Sequence, residues 1–234
     1  MKTASPAEHG NILFYILIAV VLLGALVYAA SQSGRGSVKQ VSDERAKLLA
    51  AEIIEYGNAV GTAFTQLRLR GCKFDQVSFE TASNPGYANP SAPTDKTCHL
   101  FELAGGGVTY KTPTTEALMA AGKIIFTAAA EMKDIGSTCT GDSCADLIMF
   151  AGPLTETVCM RINESLSVEN NPDGVPPHDQ ANIPGATKFT GTADYAVQLG
   201  ADAVTSFALQ GKTAACFRDE QDDEFYFYKV LASR

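Results

Sequence analysis

Nineteen consecutive residues, Ile12 to Ala30, read ILFYILIAVVLLGALVYAA and contain no charged or strongly polar side chain. At about 1.5 Å per residue, a helix of this length is roughly 28 Å long, close to the thickness of the hydrocarbon core of a bilayer. Tyrosine rings near its two ends favour the headgroup level. The stretch predicts a membrane-spanning anchor helix. The residues expected to form the anchor include Ile12, Phe14, Tyr15, Gly24 and Tyr28.

Two other interpretations of this stretch stay open. A cleavable secretory signal would end at the small residues around Ala30, and a buried core helix would need a polar face that the stretch lacks. The charges that flank it also conflict with an exported head: Arg35, Lys39, Arg45 and Lys47 follow the stretch, whereas only Lys2 precedes it. By the positive-inside rule alone, the following residues would be cytoplasmic.

The cysteines favour an oxidising compartment. All six lie after the apolar stretch, at Cys72, Cys98, Cys139, Cys144, Cys159 and Cys216. An even number confined to the soluble part indicates three disulfides, although six cysteines allow about fifteen pairings. We predict Cys72–Cys98, Cys139–Cys144 and Cys159–Cys216. Metal binding is the alternative, but the closely spaced pairs typical of zinc sites are missing.

The overall composition limits the function classes. Apolar residues make up 46% of the 234 residues and charged residues 19%, which is enough for a packed core. The net charge of −8 argues against a nucleic-acid partner, because phosphate binding depends on Lys and Arg. No nucleophile elbow, P-loop or zinc-protease motif is present, so we predict no cofactor and no enzyme activity. An anchored enzyme is the third alternative, and His99 or His178 would then be its candidate catalytic residues.

Beyond the apolar stretch, a second helical pattern spans residues 38–70, with apolar residues at three- and four-residue steps. Gly57 and Gly61 either permit a close approach to another element or are merely tolerated in the helix. Gly71 is expected to end it. Residues 98–103 and 108–111 read as strands around a glycine triplet, and residues 214–218 and 224–231 as a hairpin.

The turn of that hairpin is acidic. Asp219, Asp222 and Asp223 could offer oxygen ligands to Ca²⁺, but they lack the spacing of a calcium loop. A solvated turn is the alternative that we favour.

The N-terminus carries a resemblance. A short polar leader ends in Glu8-His9-Gly10, and the apolar helix follows at once with Asn11-Ile12-Leu13-Phe14-Tyr15. Here the chain resembles the type IV pilins and pseudopilins. The resemblance implies cleavage after Gly10 by a prepilin peptidase, with Asn11 as a new N-terminus that can be methylated. Tyr15 departs from the class, which commonly has Glu at this position, so a minor subunit fits better than a major one.

The resemblance implies a structural subunit of a type IV pilus-like or type II secretion-like filament, anchored in the membrane before assembly. Its partners would be itself or other pilin-like subunits. The alternative is a non-polymerising, single-pass periplasmic binding or envelope-scaffold protein. The expected location is the inner membrane, with the head in the periplasm or in an extracellular filament. The predicted fold is α+β: a leader (1–10), a transmembrane or filament-core helix (11–37), and a head domain (38–234) with an antiparallel sheet and disulfides.

Overall fold

The computed structural model describes residues 11–136, 144–183, 186–202 and 204–233; within the first helix, the side chains of residues 11–13 and 24–41 are not among those described. The chain divides between Arg45 and Ala46 into two compact units, and the second is called the head unit below. The helices are α1 (Asn11–Leu69) and α2 (Glu156–Leu166). The strands are β1 (Leu118–Met132), β2 (Asp146–Leu154), β3 (His178–Asp179), β4 (Val197–Leu199), β5 (Ala214–Asp219) and β6 (Glu224–Ala232). Short 3₁₀ helices cover Phe74–Gln76, Thr115–Ala117 and Phe207–Leu209.

Within the head unit, α1 buries one face. Its buried residues recur at three- and four-residue steps and include Leu49, Ile53, Val60, Phe64 and Leu67. The helix ends as predicted: Gly71 has a φ of +99°, and the backbone N–H of Cys72 donates to the carbonyl of Leu67 at 3.1 Å. Glycine adopts this left-handed conformation without a steric penalty, so the chain can turn sharply here.

Gly57 lets α1 lie directly on the sheet. A Cβ atom at this position would come within 2.8 Å of Cε1 of Phe227, a fully buried residue of β6. At Gly61, one turn further along, the nearest atom to such a Cβ is Cε of Lys229 at 3.6 Å. Close approach is therefore the reason for glycine at position 57 and not at position 61.

The six strands form one mixed sheet in the order β3-β5-β6-β2-β1-β4. The pairs β1–β2, β2–β6 and β5–β6 are antiparallel, whereas β1–β4 and β3–β5 are parallel. Alternate residues of β2 enter two different cores, so the whole strand is buried. Met149 faces the core shared with α1 and α2, while Ile148 and Phe150 face a second core on the opposite side.

The sheet is nearly closed. Its two edge strands approach each other where Asp179 at the end of β3 accepts a hydrogen bond from the backbone N–H of Gly200, directly after β4, at 2.8 Å. The second core lies inside this curved sheet, beneath segments that include Ile183, Leu199 and Leu209. Closure removes part of the exposed edge that an open sheet would present.

The predicted fold class, an apolar-then-amphipathic helix on an antiparallel sheet, is wrong. The sheet is mixed and nearly closed, because β3 and β4 return in parallel to β5 and β1 after long connections. Residues 98–103 and 108–111 are also not strands: Gly106 N–H donates to the carbonyl of His99 at 2.9 Å in a compact turn. An isolated bridge of this region pairs His99 with Ser78, and Val108 N–H donates to the carbonyl of Leu100 at 3.2 Å without forming a strand pair.

The predicted single-pass inner-membrane location is also wrong. Among the described residues, no helix is long and apolar enough to span a bilayer. Helix α1 continues through the polar segment at 31–37 and the charged residues that follow it.

Candidate functional site

A run of exposed apolar side chains, unusual for a protein surface, lies near the start of α1. Every residue from Phe14 to Leu23 is exposed. We call these ten residues the apolar segment. Its large side chains are between 39% (Ile18) and 64% (Tyr15) exposed. The full set is Phe14, Tyr15, Ile16, Leu17, Ile18, Val20, Val21, Leu22 and Leu23.

The apolar segment is hydrophobic around its whole circumference. Ten residues make nearly three helical turns, so consecutive apolar residues leave no polar face. The rings of Phe14 and Tyr15 contact each other edge to face, with centroids 6.4 Å apart. A soluble surface helix usually carries only one apolar stripe. A contiguous apolar surface of this kind marks an interaction site.

The residues predicted for the anchor and for processing lie at the start of α1 or just before it. Asn11 begins α1, and Gly24 and Tyr28 lie within it. Phe14 and Tyr15 belong to the apolar segment. Gly10 and the side chains of Ile12 and Tyr28 fall outside the described residues. The predicted cleavage between Gly10 and Asn11 therefore stays a prediction.

Two of the predicted disulfides are confirmed. Cys72 is bonded to Cys98 across a sequence separation of 26 residues, and Cys159 to Cys216 across 57. The first joins the end of α1 to the following loop, and the second joins α2 to β5. Cys144 is buried and disulfide-bonded. Its predicted partner, Cys139, lies outside the described residues. These bonds indicate an oxidising, exported location.

The acidic hairpin turn has a structural role. Asp219 is fully buried, and its carboxylate accepts hydrogen bonds from the backbone N–H groups of Ala181, Ile183 and Gln221, at 3.3, 2.7 and 3.1 Å. Asp223 accepts from Nε of Arg218 at 2.5 Å, and Asp222 is exposed. In the part of the chain that is described, no three Asp, Glu, His or Cys side chains converge to hold a metal ion.

The two histidines considered for catalysis lie in separate settings. His99 is buried, and this burial lowers its pKa, partly offset by the nearby Glu80 carboxylate. His178 in β3 lies between Asn171, 2.9 Å from its Nδ1, and Glu220, 3.3 Å from its Nε2. Neither arrangement contains a Ser, Thr or Cys nucleophile within hydrogen-bond reach among the contacts of the described residues.

The buried side chain of Asn163 makes a structural contact that the sequence pattern does not predict. Asn163 begins an Asn-Glu-Ser triplet, which is an N-glycosylation motif. It is fully buried, and its side chain bonds both backbone groups of Cys216: Nδ2 donates to the carbonyl at 2.9 Å, and Oδ1 accepts from the N–H at 2.8 Å. Asn163 therefore fastens α2 to β5 in the manner of a neighbouring strand. Periodicity alone does not reveal such a contact.

Comparison of the chain with protein-family models, curated proteins and solved structures finds no match in any of the three.

Proposed function

We propose that this chain is a structural subunit that assembles with copies of itself, or with similar subunits, through the apolar segment of α1. The observation that carries the proposal is the exposure of nine large apolar side chains between Phe14 and Leu23 in the isolated chain. The resemblance to pilin-like proteins supports it, since the N-terminal helix of such subunits packs in the core of a filament.

Copies of the same helix are suitable partners for this segment. A helix that is apolar all round is stable when neighbours surround it, as in the core of a bundle. Burying one Leu, Val, Ile or Phe side chain contributes about 1.5–3 kcal/mol relative to exposure. A few side chains per subunit would therefore offset the several kcal/mol that association costs in lost translational and rotational freedom.

The head unit suits a subunit that works outside a reducing compartment. Each disulfide that closes a long loop stabilises a folded domain by about 2–4 kcal/mol. Cys72–Cys98 and Cys159–Cys216 fasten different parts of the head, so the folded unit does not depend on neighbouring subunits for these constraints.

Processing between Gly10 and Asn11 is part of the same proposal, with a prepilin peptidase as the enzyme. Intact-mass measurement of the mature protein should then give a chain that begins at Asn11. A Gly10→Leu substitution should leave the leader attached and reduce assembly. A mature wild-type chain that retains Met1 in cells with an active prepilin peptidase would contradict processing.

Electron microscopy of the purified full chain tests assembly. We expect elongated assemblies from the wild-type protein and none from the double variant Leu17→Glu/Leu22→Glu. The control is Leu103→Glu, because Leu103 is 94% exposed in the head unit. If the wild-type protein stays dispersed as single particles, the chain does not polymerise, and a monomeric binding or scaffold role replaces the proposal.

A further inference from the structure

A cavity of about 320 Å³ opens where the two edges of the curved sheet approach each other. One wall is formed by β1 and β4, including Thr127 and Val197, and the other by the residues that follow β3. The buried Phe150 of β2 also lines it. The volume lies at the lower end of the range typical of small-molecule sites, and the mouths of curved sheets are a common place for them.

The wall that follows β3 is held in place before any ligand arrives. Asp219, buried at the end of β5, accepts the backbone N–H groups of Ala181 and Ile183. Hydrogen bonds to a buried carboxylate are stronger than those between neutral groups. Asp179 fixes the neighbouring edge through Gly200. The cavity is thus preorganised, which reduces the entropy cost of binding.

The same bonds disfavour an added β-strand as the occupant. A strand that joins a sheet edge needs free backbone N–H and C=O groups. The N–H groups of Ala181, Ile183 and Gly200 are already engaged by side-chain carboxylates. The N–H of Ala196 donates to the carbonyl of Ala129 at 2.7 Å. Recognition in this cavity therefore depends on side chains.

The side chains of the cavity are polar but uncharged. None of the described residues that line it carries a charge, although the chain has a net charge of −8. Amide and hydroxyl groups come from Thr127, Gln180, Asn182, Thr187 and Gln221. Alanine, valine, isoleucine and phenylalanine supply the remaining surface. A bound ion would find no charged side chain in the described lining itself to compensate its desolvation.

Two of the polar groups have a defined hydrogen-bonding capacity left. Thr127 Oγ1 accepts the N–H of Ala129 at 3.0 Å, so its hydroxyl proton can still be donated. Gln180 donates through Nε2 to Glu220 at 3.2 Å, so its carbonyl oxygen can still accept. The cavity offers both donors and acceptors beside apolar surface. A sugar ring combines hydroxyls that do both with apolar C–H faces.

We propose that this cavity binds a neutral saccharide of one or two rings. The test is ligand-observed saturation-transfer NMR on the full chain, which works for free and assembled protein alike. The neutral probes are methyl β-glucoside, methyl β-galactoside, methyl N-acetyl-β-glucosaminide and maltose. The charged comparators are glucuronate and glucosamine. We expect at least one neutral probe to bind, and the charged probes to bind at least about tenfold more weakly.

Two matched variants locate the binding. Ala196 lines the cavity and Ala201 does not, and both are exposed, so a larger side chain can be introduced at either position. Ala196→Phe should fill the cavity and abolish the signal of the neutral probe, whereas Ala201→Phe should retain it. Gln221→Leu should weaken binding by removing an amide. No neutral probe bound by the wild-type protein, equal binding of the charged probes, or an equal response of the two Ala→Phe variants overturns the proposal.

Discussion

The carboxylate of Asp179 at the end of β3 accepts a hydrogen bond of 2.8 Å from the backbone N–H of Gly200, which directly follows β4. The two residues lie at opposite edges of a six-stranded sheet, so this contact links the first strand in the sheet order to the end of the last. The other oxygen of the carboxylate accepts the N–H of Gln180 at 2.7 Å.

Removing this carboxylate should loosen the closure of the sheet. A hydrogen bond to a charged group contributes about 1.5–3 kcal/mol, so Asp179→Ala should lower the free energy of unfolding by about that amount. Hydrogen exchange at the Gly200 amide should accelerate. The control is Asp222→Ala, since Asp222 is an exposed aspartate of the neighbouring turn. Unchanged exchange at Gly200 in Asp179→Ala would contradict the proposed role of the contact.

Alanine substitutions at Gly57 and Gly61 should have opposite effects. In a helix interior, Ala is more favourable than Gly by about 1 kcal/mol. At Gly61 the added Cβ finds ordinary contacts, so Gly61→Ala should stabilise the fold by about 0.5–1 kcal/mol. At Gly57 it meets the buried ring of Phe227, and overpacking of this kind costs about 1–3 kcal/mol. Urea unfolding of the two variants should therefore shift the midpoint in opposite directions.

Asn163 should be among the most sensitive polar residues of the head unit. Replacing it with alanine leaves the backbone N–H and C=O of Cys216 buried without their partners, at about 1–3 kcal/mol each. We expect Asn163→Ala to lose at least about 2 kcal/mol in urea unfolding with the disulfides intact. Asn58→Ala, on the exposed side of α1, should change stability by less than about 0.7 kcal/mol. Equal effects of the two substitutions would show that the hydrogen bonds between Asn163 and Cys216 contribute little to stability.

Two buried tyrosines, Tyr56 and Tyr87, should lose their phenol protons only at high pH. Burial raises the pKa of both Tyr56 and Tyr87 to about 12, although each hydroxyl accepts a backbone N–H, from Lys111 and Phe126 respectively. In the unfolded chain these phenols ionise near pH 10. The protonated phenols therefore contribute stability below about pH 10, and this contribution is lost as the pH rises towards 12.

Absorbance at 295 nm reports this ionisation directly. Tyr56→Phe and Tyr87→Phe should each remove amplitude from the step near pH 12 and leave the step near pH 10 unchanged. Loss of amplitude near pH 10 instead would place these rings in water. Tyr228 should also ionise only at high pH, since burial raises its pKa as well.

Local features of the head unit could be predicted where a residue type is closely tied to one kind of structure, such as glycine at a helix end or cysteine in a disulfide. Gly71 ends α1, residues 214–219 and 224–232 form the hairpin, and two cysteine pairs match the predicted disulfides. Each depends on contacts that are short in sequence or on a covalent constraint. Two backbone partners of the buried Asp219 in the acidic turn could not be predicted, because they lie 38 and 36 residues away in the sequence.

The sheet topology could not be predicted for a physical reason. Strands β3 and β4 contain two and three residues, too few to show an alternating pattern. They are held by parallel pairing to distant strands and by the Asp179–Gly200 contact. The sequence predicts a hairpin turn at Gly105 and Gly106, yet a Cβ on either would collide with the carbonyl of His99 or Leu100. They permit a compact turn that excludes strands.

The central claim is that copies of this chain meet at the apolar segment, and photo-cross-linking tests it most directly. A photoreactive phenylalanine analogue is placed in the full chain at Leu17. In a separate control it is placed at Leu103, which is more exposed (94% against 58%) but lies in the head unit. We predict that irradiation of the first protein gives covalent dimers and larger oligomers, and that Leu17→Glu/Leu22→Glu protein carrying the analogue at Ile18 does not. The Leu103 control should stay largely monomeric. Monomers alone from the Leu17 position, or equal oligomer yields from both positions, would contradict assembly through α1.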